Sequence, residues 1–284
     1  VTSPTDSSTG GTSALRQAPI GIFDSGIGGL TVAAAVRRIL PAERILYVGD
    51  TARVPYGGKS RRTIERYAVE IGGLLLAEGA KALIVACNTA SALALPRMQE
   101  VFKVPVLGVV EPGARAACTV SQGGRIGVIA TRATVASRAY EHAIHAIKPD
   151  AQISAAACPL LVPLVEEGLF DDPITDMALA RYLAPLLAQG MDTLVLGCTH
   201  YPLASRAIAK AAGKQVRLVD SADNCAAAAA SLLAAANLLA PITNQGSLDV
   251  ALTDPGESFL RTAERSLGLD IGEVQILTVQ QPHP

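Results

Sequence analysis

Lys81-Ala82-Leu83-Ile84-Val85-Ala86-Cys87-Asn88-Thr89 and Asp192-Thr193-Leu194-Val195-Leu196-Gly197-Cys198-Thr199-His200 follow one pattern: a charged residue, a short apolar run, a thiol, then small polar residues. Each apolar run reads as a buried strand, and the polar residues after it read as a helix start. A cysteine so placed stands at the carboxyl end of its strand, where open parallel sheets form their ligand crevices. Two such units, in two halves of one chain, predict a cleft with one thiol on either side.

Working outward, short apolar runs recur at 20–23, 44–48, 82–86, 104–108, 125–130, 152–157, 193–197, 216–219, 247–253 and 274–279, and helical patterns separate most of them. That alternation predicts βαβ units and parallel sheets with helices on both faces. The repeat extends beyond the cysteines, since Gly21-Ile22-Phe23 before Asp24 parallels Gly127-Val128-Ile129 before Ala130-Thr131. A duplicated unit implies a pseudo-two-fold axis. The expected fold class is therefore α/β, with two pseudo-symmetric doubly wound parallel-sheet domains and the active site in the cleft between them. Glu111-Pro112-Gly113 reads as punctuation between the halves, and the two last strands could complete either one.

The chain has 284 residues, half of them apolar, which is long enough for two domains. A formal net charge of −1, with Lys and Arg scattered, gives none of the electrostatic footprint of a general nucleic-acid binder. No nucleic-acid partner is expected. Five cysteines form no Cys-x-x-Cys pair and no zinc spacing, so reduced thiols, no metal and a cytoplasmic setting are expected. Residues 1–18 are rich in Ser, Thr, Gly and Pro and lack a basic start and an apolar core, so they read as a flexible tail rather than a signal peptide. The uncharged stretch 225–240 is too short to span a bilayer and reads as a core helix capped by Ser221-Ala222-Asp223-Asn224. No membrane partner is expected.

Asp24-Ser25-Gly26-Ile27-Gly28-Gly29 follows the first strand and opens a helix near Leu30. Its glycines would let backbone amides approach an anion. A dinucleotide fingerprint fails there, because the third glycine position is Thr31. In the loop after the second strand, Pro55-Tyr56-Gly57 reads as a surface turn with one packed Tyr; the competing reading is a turn that presents a phenol and exposed amides to a small polar ligand. Helix-start amides should lower the pKa of Cys87 and Cys198 and favour thiolate. Asp24 is placed to serve Cys87 and His200 to serve Cys198, whereas Cys118, Cys158 and Cys225 have no such partners and read as structural. Asn88, Thr89 and Thr199 offer groups for an α-carboxylate and an α-ammonium, and Glu166 is placed near His200. No lysine stands where a pyridoxal enzyme needs its Schiff base. The competing reading is a two-lobed small-molecule (amino-acid) binding protein without catalysis.

FDSGIGGLTV (23–32), YVGDTARVPYG (47–57), ACNTAS (86–91), RIGVIATRATV (125–135), CPLLVPLVEEG (158–168) and LGCTHYPL (196–203) together resemble the glutamate racemases of the aspartate/glutamate racemase superfamily. The resemblance implies cofactor-independent, reversible conversion of L-glutamate to D-glutamate for peptidoglycan, and a homodimer. It matches Cys87 and Cys198 to two catalytic bases, Asp24 and His200 to their assistants, and Glu166 to the acid that pairs with the histidine. Asp24, Ser25, Pro55, Tyr56, Gly57, Asn88, Thr89, Thr131, Thr134, Thr199 and His200 match substrate-contacting positions. It also implies a first domain of 19–111 with 221–284 and a second of 112–220. Ala130 and Ala204 depart from residues common in the family, away from the expected chemistry.

Overall fold

A computed structural model describes residues 14–255, 260, 267–269, 271 and 273–278. Among the described residues, ten parallel strands form two sheets. The first has the order β10-β9-β2-β1-β3-β4 and the second β6-β5-β7-β8. Along the chain these strands are β1 (Ile20–Asp24), β2 (Ile45–Gly49), β3 (Ala82–Val85), β4 (Val106–Gly108), β5 (Arg125–Ala130), β6 (Gln152–Ala157), β7 (Thr193–Gly197), β8 (Arg217–Val219), β9 (Leu248–Leu252) and β10 (Gln275–Ile276). All ten lie within the runs expected from the sequence or within a residue of them. Val279, in the last of those runs, lies outside the described residues.

The strands are apolar almost throughout because helices cover both faces. Successive residues point to opposite sides. Ile20, Ile22, Ile45, Tyr47 and Ile84 pack beneath helix Leu30–Ile39, against which helix Ala222–Ala235 lies. Phe23, Val48, Leu83 and Val85 pack instead against helices Arg61–Ala77 and Asn88–Val101. In the second sheet Ile126, Val128 and Val195 face helices Val110–Val120 and Ala139–Ile147. Ile129, Leu194 and Leu196 face helices Pro173–Ala188 and Ser205–Ala212.

The duplication read from the sequence is a duplication of register. The orders β2-β1-β3-β4 and β6-β5-β7-β8 are the same, and Ile20 lies opposite Ala82 as Ile126 lies opposite Thr193. After β8 the chain returns through helix Ala222–Ala235 and adds β9 to β2, with Ile45 opposite Leu248. Strand pairing thus joins the end of the described chain to the first sheet.

Three local expectations are corrected. Glu111-Pro112-Gly113 does not interrupt the secondary structure but forms the first turn of helix Val110–Val120, a place where proline loses no intrahelical hydrogen bond, so the boundary expected there falls at a helix start rather than in a loop. Helix Ala222–Ala235 is capped by Asp220, whose Oδ1 accepts from the Ala222 amide at 2.9 Å, while Ser221 makes no cap bond. Of the tail expected at 1–18, residues 1–13 lie outside the described residues, but 14–17 are helical and tethered. Arg16 Nε donates to Leu239 O at 2.7 Å, and Arg16 O accepts from Lys81 Nζ at 2.7 Å. Lys81 also pairs with Glu43 at 2.5 Å, both side chains being buried, and Glu43 Oε1 accepts from the Ala240 amide at 2.7 Å. Composition alone hid this because the partners lie far along the chain.

Candidate active site

The carboxyl ends of β1 and β3 face those of β5 and β7 across a cavity of about 390 Å³. That is within the range of small-molecule sites. Ser25, Pro55, Tyr56, Gly57, Cys87, Asn88 and Thr89 line it from one half, and Thr131, Glu166, Cys198, Thr199 and His200 from the other. The two thiols therefore open onto one cavity. Of the expected site residues, Asp24 and Thr134 are not in the lining. Asp24 is completely buried just behind it, and Thr134 sits behind Thr89 and Thr131.

Cys87 ends the segment after β3 and caps helix Asn88–Val101, with its Sγ 3.7 Å from Ser25 Oγ. The expected drop in its pKa does not occur. Burial pushes the thiol up to about 12, the charges of Asp24 and Cys198 add to the rise, and hydrogen bonding with the Ala90 amide and Ser25 opposes it without prevailing. Desolvating a thiolate costs more here than the helix start returns. Burial thus favours the thiol form of Cys87.

Cys198, after β7, has a different setting. Its Sγ lies 3.8 Å from His200 Nδ1, and His200 Nε2 lies 3.1 Å from Glu166 Oε1. Burial pulls the imidazole down, but the hydrogen bonds to Cys198 and Glu166 and the charges of Cys198 and Asp24 outweigh it and raise His200 to about 10. These contacts favour the imidazolium form of His200. Its charge contributes stability that is fully present below the ordinary histidine value of about 6.5 and is lost as pH rises through about 10. Glu166→Gln is expected to move the His200 imidazole titration to lower pH in an NMR titration. An unchanged titration would show that the carboxylate does not hold the charge.

The glycine loop lies at the join between the halves. The Gly26 amide donates to Asp24 Oδ2 at 3.0 Å, and Asp24 Oδ1 accepts from Thr199 Oγ1 at 3.3 Å across the cleft. A Cβ at position 28 would stand 2.7 Å from both His200 Nδ1 and Thr199 Oγ1, so the two halves approach this closely only with glycine there. Asp24 connects the neighbourhoods of the two thiols.

Tyr56 is packed in its turn, and its hydroxyl donates to buried Asp50 rather than into the cavity. Asp50 also accepts from Arg53 Nε at 2.7 Å and from Thr253 Oγ1 at 3.0 Å, which ties the Pro55-Tyr56-Gly57 wall to the end of β9. Thr89, Thr131 and Thr134 form a closed triangle of hydroxyls at 2.9 to 3.2 Å that crosses between the halves. Asn88 Oδ1 accepts from Tyr140 at 2.6 Å. Cys158 and Cys225 are buried and pushed up to about 12 by that burial, and Cys118 is raised by the same cause. All five cysteines are free.

The sequence reading missed Val54, Gly58, Arg132, Pro159, Val162 and Pro163 in the lining. Each lies inside or beside a motif quoted for the resemblance, which was the available signal. Among the described residues no group of three or more His, Cys, Asp or Glu is placed to hold a metal, and no helix is long and apolar enough to cross a membrane.

The family model for Asp/Glu/Hydantoin racemase matches residues 30–230. The chain is 47% identical over 261 residues to a glutamate racemase of Geobacter metallireducens, covering 92% of this chain and 97% of that protein. The crystal structure of a glutamate racemase isoform from Bacillus anthracis is similar with a TM-score of 0.88 and 40% identity, over 93% of this chain and 98% of that one. The glutamate racemase of Francisella tularensis, solved in complex with D-glutamate, is similar with a TM-score of 0.86 and 37% identity over the same shares. With two strand-end thiols on one cavity and likeness along nearly the whole chain, the protein belongs to the Asp/Glu/hydantoin racemase family, among its glutamate racemases.

Proposed function

We propose that this enzyme interconverts L- and D-glutamate by proton transfer between two thiols and the α-carbon. The observation that carries the reading is the placement of Cys87 and Cys198 at equivalent strand ends on opposite sides of one cavity. One sulfur, as thiolate, removes the α-proton, and the other, as thiol, delivers a proton to the opposite face. The positive charge on His200 favours the thiolate when Cys198 acts as the base, and burial favours the thiol when Cys87 acts as the acid. Turnover exchanges these roles. For the return, the substrate's α-ammonium offsets the Asp24 charge that raises Cys87, which makes its ionisation less costly.

The hard step is the weak acidity of the Cα–H, so charge flowing into the α-carboxylate must be met by oriented donors. In this reading Asn88, Thr89 and Thr199 supply them, with Thr131 and Thr134 behind. Ser25 and the Pro55-Tyr56-Gly57 wall hold the remainder of the substrate. Asp24 and His200 assist their neighbouring thiols, and Glu166 keeps the imidazole charged. The lobes run over 19–111 with 221–284 and over 112–220. The reading extends to a homodimer in the cytoplasm, without cofactor, supplying D-glutamate for peptidoglycan.

The test is incubation of metal-free and pyridoxal-free protein with L-glutamate in deuterated water, followed by chiral analysis and mass. Deuterium at Cα and a mixture of enantiomers are expected. Saturable binding without exchange would favour a two-lobed binding protein instead. Aspartate in the same assay is expected to react with much lower kcat/KM, because donors that meet the longer side chain's carboxylate are left unpaired. Equal efficiency with both amino acids would contradict the assignment.

A further inference from the structure

Tyr140 lies in helix Ala139–Ile147, on the second sheet, yet its hydroxyl reaches across to the helix start that carries Asn88. The side chain is 3% exposed and outside the cavity lining. Its O–H donates to Asn88 Oδ1 at 2.6 Å, and its oxygen lies 3.1 Å from Ser221 Oγ at the start of helix Ala222–Ala235. With the phenol proton given to Asn88, Ser221 is left to donate to the phenol oxygen. The relay runs Ser221 to Tyr140 to Asn88, joining three helices in one chain of hydrogen bonds. It is packed closely: a Cβ on Gly113 would stand 2.9 Å from Ser221 Oγ, so the first turn of helix Val110–Val120 closes over the relay only with glycine at that position.

A primary amide has one acceptor end and one donor end, and a donor on Oδ1 determines which is which. We propose that Tyr140 is a positioning residue that fixes the Asn88 amide with its N–H2 turned to the substrate carboxylate, and that Ser221 sets the direction of the relay. The proposal rests on the glutamate reading for what the amide meets. Without the phenol, the amide is free to rotate and present its oxygen to an anion. Because negative charge grows on that carboxylate as the α-proton leaves, the loss falls on kcat more than on KM.

The hydrogen bond is read first without substrate. In the free protein the Asn88 side-chain N–H2 is expected to give a single sharp pair of NMR signals, and Tyr140→Phe, which keeps the ring, is expected to shift and broaden it. A double-mutant cycle on glutamate exchange then reads the function. Tyr140→Phe is expected to lower kcat/KM roughly ten-fold, the scale of one buried hydrogen bond. In an Asn88→Ala background the same change is expected to have no further effect. Ser221→Ala is expected to cost less than Tyr140→Phe. An unchanged amide signal in Tyr140→Phe, or losses that multiply independently in the cycle, would overturn the proposal. Failure of the wild-type protein to exchange the α-hydrogen would instead count against the glutamate reading, and the amide signal would still decide the relay.

Discussion

Serine at position 87 or 198 is expected to lower racemisation on the order of 10²- to 10⁴-fold, the usual contribution of a positioned acid–base group. A hydroxyl keeps much of the thiol's shape but ionises far less readily, so the chemistry is lost while the cavity stays. Each variant loses transfer on one face only. Residual α-deuterium exchange is therefore expected to favour one enantiomer in Cys87→Ser and the other in Cys198→Ser, read by mass and chiral separation. Cys118→Ser, a change at a half-buried thiol outside the cavity lining, is expected to do little. Near-normal turnover in both directions by either catalytic-site variant would replace the two-base mechanism with a one-base or cofactor mechanism.

Lys81→Met is expected to destabilise the protein by about 3 to 5 kcal/mol, because it leaves the buried Glu43 carboxylate without its cation. The same change removes the donor to Arg16 O and so releases the helical turn at 14–17. In a thermal melt the loss corresponds to a fall in Tm on the order of 10 °C. Replacing both partners, as in Lys81→Met with Glu43→Leu, is expected to recover much of it, since an apolar pair leaves no uncompensated charge. A single variant that melts within a degree or two of the wild type would show that the pair contributes little.

The strands were legible because each is an apolar run bounded by polar residues, and the duplication was legible because both thiols stand at the same place in the same register. The site residues that sit at strand ends, Asp24, Cys87 and Cys198, follow from those strands. What local pattern does not carry is direction and distance. Tyr56 reads as a turn residue, packed or facing a ligand, and only the fold shows its hydroxyl committed to Asp50. Gly26, Gly28 and Gly29 read equally as a tight turn or an anion loop, and only the fold shows that they admit Asp24 and the opposite half. Tyr140 carries no motif, since its partners Asn88 and Ser221 are 52 and 81 residues away. The ionisation of Cys87 was misjudged for a related reason, because helix-start amides are local and visible while desolvation depends on everything packed around the sulfur.

The unlike surroundings of the two thiols, Asp24 and Ser25 beside one, His200 and Glu166 beside the other, meet a constraint from outside the protein. Two enantiomers have equal free energy in water, so their interconversion has an equilibrium constant of unity. For a racemase the Haldane relation then makes kcat/KM identical in the forward and reverse directions, however unequal the walls. The asymmetry is silent at trace substrate and is expressed only at saturation, where kcat and KM for the two mirror images shift by one common factor.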